Sequence, residues 1–369
     1  MFAVKLGRRG VLYLLAGVGV AAISYLTLDR RAQPSEELEV DVVASGLTAP
    51  WSLVFLSYDE ALFTMRNGVV NYLDMGRGRV EEVGVVNVAS VGEAGLLGAA
   101  VKGERLYLYY TYRKGSMLVN RVSSFSHSGG LDDEAIIIDG IPGGTIHDGG
   151  RIRFGPDGML YITTGDAGNP ENSQNINSTG GKILRLKPDG SIPGDNPFPN
   201  SPVYSLGHRN PQGLDWQRET GLLFSTEHGP TGEGGRFAND ELNLIRAGGN
   251  YGWPVVVGDE IREPYIPPLL SSGFDTWAPS GCSFYYGPIE DWRGSLFIAC
   301  LRGEHLRRVA IGPGPSVSHH EKLFQSEYGR LRDVVEGLDG QLYILTSNRD
   351  GRGVPRQGDD RILRIGARG

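Results

Sequence analysis

The sequence has few of the residues from which metal clusters, haem sites and nucleic-acid interfaces are built. Its 369 residues include only two cysteines, too few for a disulfide framework or a cysteine-based zinc site. It contains no Cys-x-x-Cys-His motif for haem attachment. Its 36 basic residues are outnumbered by 43 acidic ones, and the net charge of −7 offers no basic face to a phosphate backbone. These absences argue against a disulfide scaffold, a haem attached through this motif and a nucleic-acid partner.

The two cysteines, Cys282 and Cys300, leave two alternatives open. They can form one disulfide if their strands are neighbours and the compartment is oxidising. They can equally be two buried free thiols, because cysteine is often buried as a small apolar residue.

Turn residues between short apolar runs are abundant. The 55 glycines and 21 prolines disfavour helix interiors, and they alternate with Val, Ile, Leu and Tyr runs. One unit recurs along the chain and consists of a turn, a short apolar strand and a polar break. Its copies begin at intervals of roughly 40–75 residues. Its six copies occupy residues 57–68, 102–113, 155–166, 218–229, 292–303 and 337–348.

Six copies of a strand unit predict an all-β fold, a six-bladed β-propeller with four-stranded antiparallel blades. We expect this catalytic domain to span residues 38–369, with the closing run 361–366 paired to an early strand to seal the ring. A β-sandwich with irregular strands is the alternative, but it does not predict six similar units. Loops from several blades meet at one face of a propeller, so functional residues are expected there.

The first 32 residues differ from the rest. Three basic residues precede an apolar stretch over residues 10–28, and charged residues at 29–31 end it. This order predicts a signal peptide or an N-terminal membrane-anchor helix over residues 1–32, with a buried core helix as the remaining alternative. A signal or an anchor implies an extracytoplasmic protein, periplasmic or at the cell surface, with membrane association through this segment in the second case.

His147, in the glycine-rich segment 145–151, is the first candidate for acid–base chemistry. Imidazole is the side chain best suited to take a proton near neutral pH. Asp166 follows one strand later, and a strand that runs out and returns can place its carboxylate against the ring, fixing the tautomer. A histidine in a glycine-rich loop can also be structural, and this alternative stays open.

Further polar residues indicate an anionic ligand. Arg209 and Asn210 lie in segment 207–213, while Arg330 and Arg332 alternate on one strand and therefore face the same side. Arginine offers a planar fork of donors suited to carboxylates and quinone oxygens. Solvated surface positions are the alternative for these residues.

A third region combines segment 227–230 with the stretch 239–243, which is rich in Asn, Asp and Glu, and with the glycine-rich stretch 248–254. Carboxylate, amide and carbonyl oxygens are the ligands that Ca²⁺ prefers, and Gly-Pro segments leave carbonyls free. The region predicts a Ca²⁺ site, with metal-free Asx turns as the alternative.

Nine short strings lie in order within residues 40–366. They are GEAGLLG (92–98), HDGGRIRFGPDG (147–158), GGKILRL (180–186), GHRNPQGL (207–214), EHGP (227–230), DELNLI (240–245), GGNYGWP (248–254), WAPSG (277–281) and RLRDV (330–334). Together they resemble the soluble glucose and aldose sugar dehydrogenases that depend on pyrroloquinoline quinone (PQQ), and they are nearer to the aldose sugar branch, which is similar in its broader sugar tolerance. The resemblance implies a six-bladed propeller, in agreement with the repeat count.

The resemblance also implies the chemistry, which is oxidation of an aldose sugar to its lactone with PQQ and Ca²⁺ as cofactors. His147 would remove the proton of the sugar C1 hydroxyl, oriented by Asp166, while a hydride passes to PQQ carbon C5. Arg209, with Asn210 beside it, would stabilise charge on the quinone oxygen. Electrons would pass to an external acceptor, a quinone or another redox carrier, because the chain has no haem motif.

The resemblance further implies residues that bind the cofactor, the metal ions and the sugar. They are Arg302, Arg330 and Arg332 for the PQQ carboxylates, the Gly229 and Pro230 carbonyls for the Ca²⁺ at the cofactor, Glu241 and the Tyr251 carbonyl for a second, structural Ca²⁺, and Glu93 and Trp277 for the sugar.

The chain departs from the glucose dehydrogenase branch at two of these positions. Arg302 stands where that branch has lysine, and Glu93 where it has glutamine. The connections also look shorter, so we expect a monomer or weak dimer without strict glucose specificity. A Ca²⁺-dependent hydrolase or lactonase and a non-catalytic sugar-binding propeller are the alternatives. The first leaves the arginines without a purpose, and the second predicts loss of the base or the metal ligands.

Overall fold

The computed structural model describes residues 38–312 and 314–367, and the regular secondary structure of this part of the chain is almost entirely β-strand. Its strands form six antiparallel sheets of four strands each. The predicted signal peptide or membrane anchor at residues 1–32 lies outside the described residues. Within the described residues, no helix is both long enough and apolar enough to cross a membrane.

Each sheet is one blade, and the first three blades follow one another along the chain. Blade 1 consists of β2 (Pro50–Phe55), β3 (Glu60–Met65), β4 (Val69–Asp74) and β5 (Arg79–Val85). Blade 2 consists of β6 (Leu96–Lys102), β7 (Arg105–Lys114), β8 (Met117–Ser126) and β9 (Asp132–Pro142). Blade 3 consists of β10 (Ile152–Phe154), β11 (Leu160–Thr164), β12 (Lys182–Leu186) and β13 (Val203–Leu206), with the short helix α1 (Glu171–Gln174) between β11 and β12.

The other three blades complete the ring. Blade 4 consists of β14 (Pro211–Trp216), β15 (Leu223–Glu227), β16 (Glu241–Ile245) and β17 (Leu270–Ser271). Blade 5 consists of β18 (Pro279–Phe284), β19 (Ser295–Cys300), β20 (His305–Ile311) and β21 (Val317–Leu323). Blade 6 consists of β22 (Leu331–Glu336), β23 (Leu342–Thr346), β24 (Ile362–Ala367) and β1 (Leu38–Ala44). Two 3₁₀ turns lie at Glu233–Gly235 and Glu290–Trp292.

The sixth blade takes strands from both ends of the described chain. β24 pairs antiparallel with β1, with Ile365 opposite Val40, which confirms the predicted closure by the run 361–366. The innermost strands β2, β6, β10, β14, β18 and β22 contact their neighbours in a closed ring. Closure leaves no open edge between first and last blade. The predicted six-bladed propeller is confirmed, and the β-sandwich is excluded.

The six recurring units of the sequence correspond to the second strand of each blade. β11, β19 and β23 are buried along their entire length. A second strand has a strand on each side and a neighbouring blade against each face. It therefore reads as a continuous apolar run rather than an alternating one, which explains why the repeat is visible in the sequence.

Cys282 and Cys300 are buried free thiols on adjacent strands. Their pairing register sets Cys282 opposite Ile298 and Cys300 opposite Pro279, so the two sulfurs do not face each other. Burial raises the pKa of both thiols, that of Cys300 to about 12. Of the two alternatives left by the sequence, the structure adopts the free thiols.

Irregular pairing at the start of several inner strands turns side chains toward the propeller axis. The register shifts at Trp51 in β2, at Gln212 in β14 and at Arg332 in β22. All three side chains line the axial cavity described below. Bulges of this kind re-aim side chains and are common next to active sites.

Stacked side chains divide the axial channel into two cavities. The Trp51 ring lies 4.3 Å from the Arg151 guanidinium and 5.7 Å from that of Arg332. On the Arg332 side is the upper cavity, of about 630 Å³, and on the Arg151 side the lower cavity, of about 270 Å³. In the lower cavity Arg151 pairs with Asp333 at 2.8 Å, so its charge is compensated within the protein.

Candidate active site

The upper cavity collects most of the residues singled out in the sequence. The predicted residues in its wall are Glu93, His147, Arg209, Gly229, Pro230, Arg302, Arg330 and Arg332. These positions are spread over more than half of the chain, and the ring of blades brings them to one place.

Two carboxylates hold His147. Its Nδ1 lies 2.7 Å from Asp166 Oδ1, and its backbone N–H donates to Glu93 Oε2 at 3.0 Å. Its φ of 58° is a left-handed conformation that is uncommon for a residue with a side chain. Such backbone strain persists only where the surroundings enforce it, and it clusters at functional sites.

Asp166 is fully buried and meets only hydrogen-bond donors. Its Oδ2 accepts from Trp253 Nε1 at 2.9 Å and its Oδ1 from the Gly168 N–H at 2.8 Å. Because this carboxylate is acceptor-only, His147 Nδ1 carries the proton between them. His147 Nε2 is thereby left able to accept a proton from a ligand in the cavity. The structure brings His147 and Asp166 together, while their catalytic role stays a prediction.

Arg209 borders the cavity and Asn210 lies behind it. The Arg209 guanidinium forms an ion pair with Glu233. Asn210 Oδ1 accepts the Gly149 N–H at 3.0 Å, while its Nδ2 is buried and has no partner among the described residues. A buried amide donor without an acceptor is costly, which makes Asn210 a candidate for contact with a ligand.

Arg330 and Arg332 reach the cavity side by side, as their alternation predicted. Both approach Asp350 Oδ2, Arg330 Nη2 at 2.9 Å and Arg332 Nη2 at 3.9 Å, so two buried cations share one carboxylate. Burial above all, and then Arg330 and Arg66, lower the pKa of Arg332 to about 9, although Asp350 opposes this. Its Nε has no partner among the described residues. This excess of buried positive charge favours an anionic ligand.

Arg302 and Trp277 are placed differently from each other. Arg302 lines the cavity, is exposed and has no ion-pair partner among the described residues. Trp277 is 3 % exposed, and its ring packs 3.8 Å from the Arg307 guanidinium. Its neighbours Thr276 and Ala278 line the cavity instead. The structure does not bring the Trp277 side chain to the cavity wall, and the predicted sugar contact stays a prediction.

Gly229 and Pro230 lie between the upper cavity and a much smaller one beside Glu241 and Tyr251. A side chain on Gly229 would collide with a backbone carbonyl of the facing loop, so close approach requires glycine here. Burial, and next the charge of Glu227, raise the pKa of Glu241 to about 8. A cation in the smaller cavity would favour the ionised form of Glu241.

The side chains alone do not form a metal cluster. Among residues 38–312 and 314–367, no group of three or more His, Cys, Asp or Glu side chains is arranged to hold a metal ion. Ca²⁺ at the predicted positions would therefore depend on backbone carbonyls supplemented by single carboxylates, which are ligands that suit this ion.

Two further residues of the cavity lie in marked segments but were not assigned from the sequence. Burial, followed by the charge of Arg209, lowers the pKa of His228 well below its ordinary value, so this ring stays neutral. Its Nε2 has no partner among the described residues. Gln212 accepts from Arg332 Nη1 at 2.9 Å. Segments 207–213 and 227–230 were recognised as polar, but nothing local singles out these side chains.

The loop after β23 contributes two residues to the cavity wall that no sequence motif indicated. Asp350 neutralises part of the arginine charge, and Arg352 forms a 2.9 Å ion pair with Glu93. Glu93 lies in a distant part of the sequence, so only the fold reveals its contact with Arg352.

The cavity as a whole suits an anionic ligand with several oxygens. Its wall holds six arginines among the described residues, namely Arg66, Arg209, Arg302, Arg330, Arg332 and Arg352. Buried polar atoms without partners among the described residues, on His228 and Arg332 in this wall and on Asn210 behind it, are available for further hydrogen bonds. A cofactor that carries carboxylates and carbonyl oxygens fits these residues.

The fold and the site define a propeller oxidoreductase of the sugar dehydrogenase type. The family described as Glucose / Sorbosone dehydrogenase matches residues 47–362, most of the chain. The chain therefore belongs to the glucose/sorbosone dehydrogenase family, which confirms the family indicated by the nine sequence strings.

Several characterised proteins are similar along nearly their whole length. An aldose sugar dehydrogenase of Escherichia coli (strain K12) is 28 % identical, with 85 % of this chain and 91 % of the relative covered. Quinoprotein glucose dehydrogenase B of Acinetobacter calcoaceticus is also 28 % identical, with 85 % and 86 % covered. The solved PQQ-bound form of an aldose sugar dehydrogenase from Streptomyces coelicolor is 38 % identical, with a TM-score of 0.80 and 91 % of this chain and 100 % of that chain covered.

Proposed function

We propose that this protein oxidises aldose sugars at C1 to lactones, with PQQ and Ca²⁺ as cofactors and an external electron acceptor. One observation carries the proposal, the contact of His147 with Asp166 at 2.7 Å in the wall of an arginine-lined cavity. The PQQ-bound structural neighbour supports it, because that protein is 38 % identical over nearly the whole propeller.

In this proposal His147 Nε2 accepts the proton of the sugar C1 hydroxyl. Asp166 stabilises the positive charge that develops on the ring, and the Glu93 bond to the His147 backbone holds the ring in place. Loss of the hydroxyl proton and of the hydride on C1 leaves the carbonyl of the lactone. General-base catalysis of this kind contributes about 10²- to 10⁴-fold in rate.

PQQ, when bound, would supply the quinone carbon C5 that accepts the hydride from the sugar. Arg302, Arg330 and Arg332 would pair with its carboxylates. Arg302 has no competing ion pair, and the buried charge of Arg332 is incompletely compensated. Arg209 and Asn210 would donate hydrogen bonds to the quinone oxygen on which negative charge grows, which is where fixed donors contribute most.

The carbonyls of Gly229 and Pro230 would hold a Ca²⁺ whose fixed charge assists those donors. Glu241 and the Tyr251 carbonyl would hold a second Ca²⁺ with a structural role. The raised pKa of Glu241 supports this, because a buried carboxyl close to Glu227 gains from a cation between them.

The sugar would lie on the Glu93 side of His147.

We further infer that the propeller works outside the cytoplasm, exported or anchored through residues 1–32, and reduces a separate carrier. The monomer or weak dimer expected from the short connections belongs to the same proposal.

Reconstitution of the full-length protein tests the proposal. Protein freed of metal and cofactor is titrated with PQQ and Ca²⁺ and then given a series of aldoses with an artificial dye acceptor. We expect dye reduction that depends on sugar, requires both additions and is abolished by EDTA. PQQ binding is followed separately by its absorbance.

Each failure has a distinct meaning. PQQ binding without reduction by any aldose would contradict the proposed substrate class and leave the redox site intact. If folded, Ca²⁺-loaded protein does not bind PQQ, the dehydrogenase proposal is wrong. A lactone hydrolysis assay would then test the Ca²⁺-dependent hydrolase.

A further inference from the structure

A fully buried lysine holds the loop that carries Asp166. Lys182 is the first residue of β12 and has 0 % exposure. Its Nζ donates to the backbone carbonyls of Asn172 at 2.6 Å, Ser173 at 3.1 Å and Gly180 at 2.8 Å. All three belong to the β11–β12 connection, residues 165–181, which we call the Asp166 loop.

The ammonium group matches this position in number and kind of hydrogen bonds. It has three donors and no acceptor, and three carbonyl oxygens converge on it. Within the described part of the chain no carboxylate forms an ion pair with Lys182. Burial lowers the pKa of Lys182 to about 7, so its charged form depends on these carbonyls rather than on solvent. An apolar side chain would leave the Asn172 and Gly180 carbonyls without a donor among the described residues, while the Ser173 carbonyl would keep the Gly207 N–H at 3.0 Å. We therefore expect Lys182 to set the path of the loop.

The Asp166 loop is connected directly to the histidine–aspartate pair. Asn172, whose carbonyl accepts from Lys182, donates from its Nδ2 to the Asp166 carbonyl at 2.9 Å. The Asp166 N–H donates in turn to the Arg209 carbonyl at 2.8 Å. A shift of the loop would therefore move Asp166 relative to both His147 and the segment that carries Arg209.

We propose that Lys182 is a positioning residue for the His147–Asp166 pair, acting through Asn172 on the place of the Asp166 carboxylate. The inference rests on the proposed function of that pair as the acid–base centre. A misplacement of about 1 Å caused by a change far from the chemistry can cost about 10²-fold in rate. Lys182 itself lies outside the cavity wall and does not contact the sugar or the cofactor in this proposal.

A double-mutant cycle in the reconstituted full-length enzyme tests the role. Lys182→Met keeps length and removes the charge, and it is combined with Asp166→Asn. We expect Lys182→Met alone to lower kcat about 10- to 100-fold, with sugar KM and PQQ affinity changed less than about threefold. In the Asp166→Asn background, Lys182→Met should lower kcat by less than about threefold. The carboxylate that Lys182 positions is absent there, so its placement no longer affects the rate. Equal losses in both backgrounds, or an unchanged kcat for Lys182→Met, would overturn the proposal.

A second variant covers the case in which Lys182→Met does not fold. Asn172→Ala removes the bond to Asp166, together with a bond accepted from Ser178 Oγ, and keeps the lysine contacts, which use only backbone carbonyls. Asn172 is half-buried, and we expect the variant to fold and to lower kcat in the same non-additive way. Asn175→Ala is the matched control, because Asn175 is exposed in the same loop and its side chain accepts only the Asn177 N–H, while its backbone bonds are kept in the variant. A loss in this control as large as that of Asn172→Ala would contradict the specific link.

Amide hydrogen exchange separates this inference from the proposed function. Lys182→Met should speed exchange in residues 165–169 by about tenfold or more and leave β19 and β23 unchanged, whether or not any sugar is oxidised. Failure of the wild-type protein to oxidise sugars would contradict the proposed function alone. Unchanged exchange at residues 165–169 would contradict the positioning role alone.

Discussion

Two histidine–carboxylate pairs with the same sequence spacing lie in neighbouring blades. His147 and Asp166 are 19 residues apart, as are His208 and Glu227, and the Nδ1–oxygen distances are 2.7 and 2.8 Å. In each pair the histidine precedes the inner strand of a blade, and the carboxylate lies at the end of the second strand. By sequence pattern and by hydrogen-bond geometry the two pairs are alike.

They differ in where the second ring nitrogen lies. His147 is in the wall of the upper cavity, whereas His208 is 0 % exposed and its Nε2 contacts Ser205 Oγ at 2.8 Å. The His208 ring also stacks on Tyr251 with the centroids 4.7 Å apart. Ser205, His208 and Glu227 thus have the order of contacts of a hydrolytic triad, but Ser205 has no exposed surface that a substrate could reach. Access to the cavity, and not the pair geometry, separates a candidate base from a structural histidine.

The largest expected effect is on catalytic activity, for which the two histidines should differ most. His147→Ala should lower kcat by about 10²- to 10⁴-fold with PQQ binding retained, because it removes the base. His208→Ala is the matched control and should keep the activity of each folded molecule within about tenfold. Steady-state kinetics with a dye acceptor checks both variants. Near-normal turnover of His147→Ala would remove this residue from the mechanism.

The loss of stability should be larger for His208→Ala than for His147→Ala, the reverse of the order expected for activity. His208→Ala removes a fully buried ring that contacts Glu227 and Ser205 and stacks on Tyr251, and it should lower the free energy of unfolding by about 3 kcal/mol. His147→Ala should cost about 1 kcal/mol, because Asp166 keeps the Trp253 and Gly168 donors and a strained residue loses its bulk. Denaturant titration of both variants measures the difference. A larger loss for His147→Ala would mean that the cavity-facing pair is the more structural of the two.

The arginines around the His147 pair should act mainly on the cofactor. Arg330→Ala should weaken PQQ affinity about 10- to 100-fold, since it removes charge-assisted hydrogen bonds in a buried site. Arg77→Ala, on an exposed hairpin of blade 1, is the control and should leave affinity unchanged. Absorbance titration with PQQ reports the affinity. An unchanged titration for Arg330→Ala would place the cofactor elsewhere.

The smallest expected effect concerns Asp148, the neighbour of His147. Burial raises the pKa of its carboxyl from 3.8 to about 7, so its contribution to stability is present at low pH and is lost as the pH rises through about 7. Asp148→Asn cannot ionise and keeps the oxygen that accepts from Asn120 and Gly144. Relative to the wild type it should be more stable at about pH 8.5 than at about pH 5, by about 1–3 kcal/mol. Denaturant titrations at both pH values check this, and an equal difference would contradict a raised pKa.

Much of the architecture is encoded in local patterns of the sequence. The second strand of each blade is buried on both faces, so its sequence is a short apolar run between turns. Six such runs predict six blades. The segments around His147, Arg209 and Arg330 stand out for a related reason. They are polar loops next to buried strands, and most of their predicted residues reach the same cavity.

Other features depend on contacts that local patterns do not record. The motif at 277–281 marks a segment, but the direction of the Trp277 side chain follows from its packing on Arg307. The Glu93–Arg352 pair joins two distant loops that become neighbours only when the ring closes. The role inferred for Lys182 depends likewise on three carbonyls that meet after the loop has folded.

The amino-acid order alone was sufficient to predict the strand units, the closure of the ring, the family and the residues with suitable chemistry, because burial and turn formation leave local patterns. Only the folded ring decides which of two similar histidines, His147 or His208, meets the cavity. The segment of each histidine places it 19 residues before a carboxylate. The second nitrogen of His208 contacts Ser205 and its ring is covered by Tyr251, whereas His147 lies in the cavity wall. The spacing of each pair does not decide this, because exposure depends on how the surrounding segments pack in the folded ring.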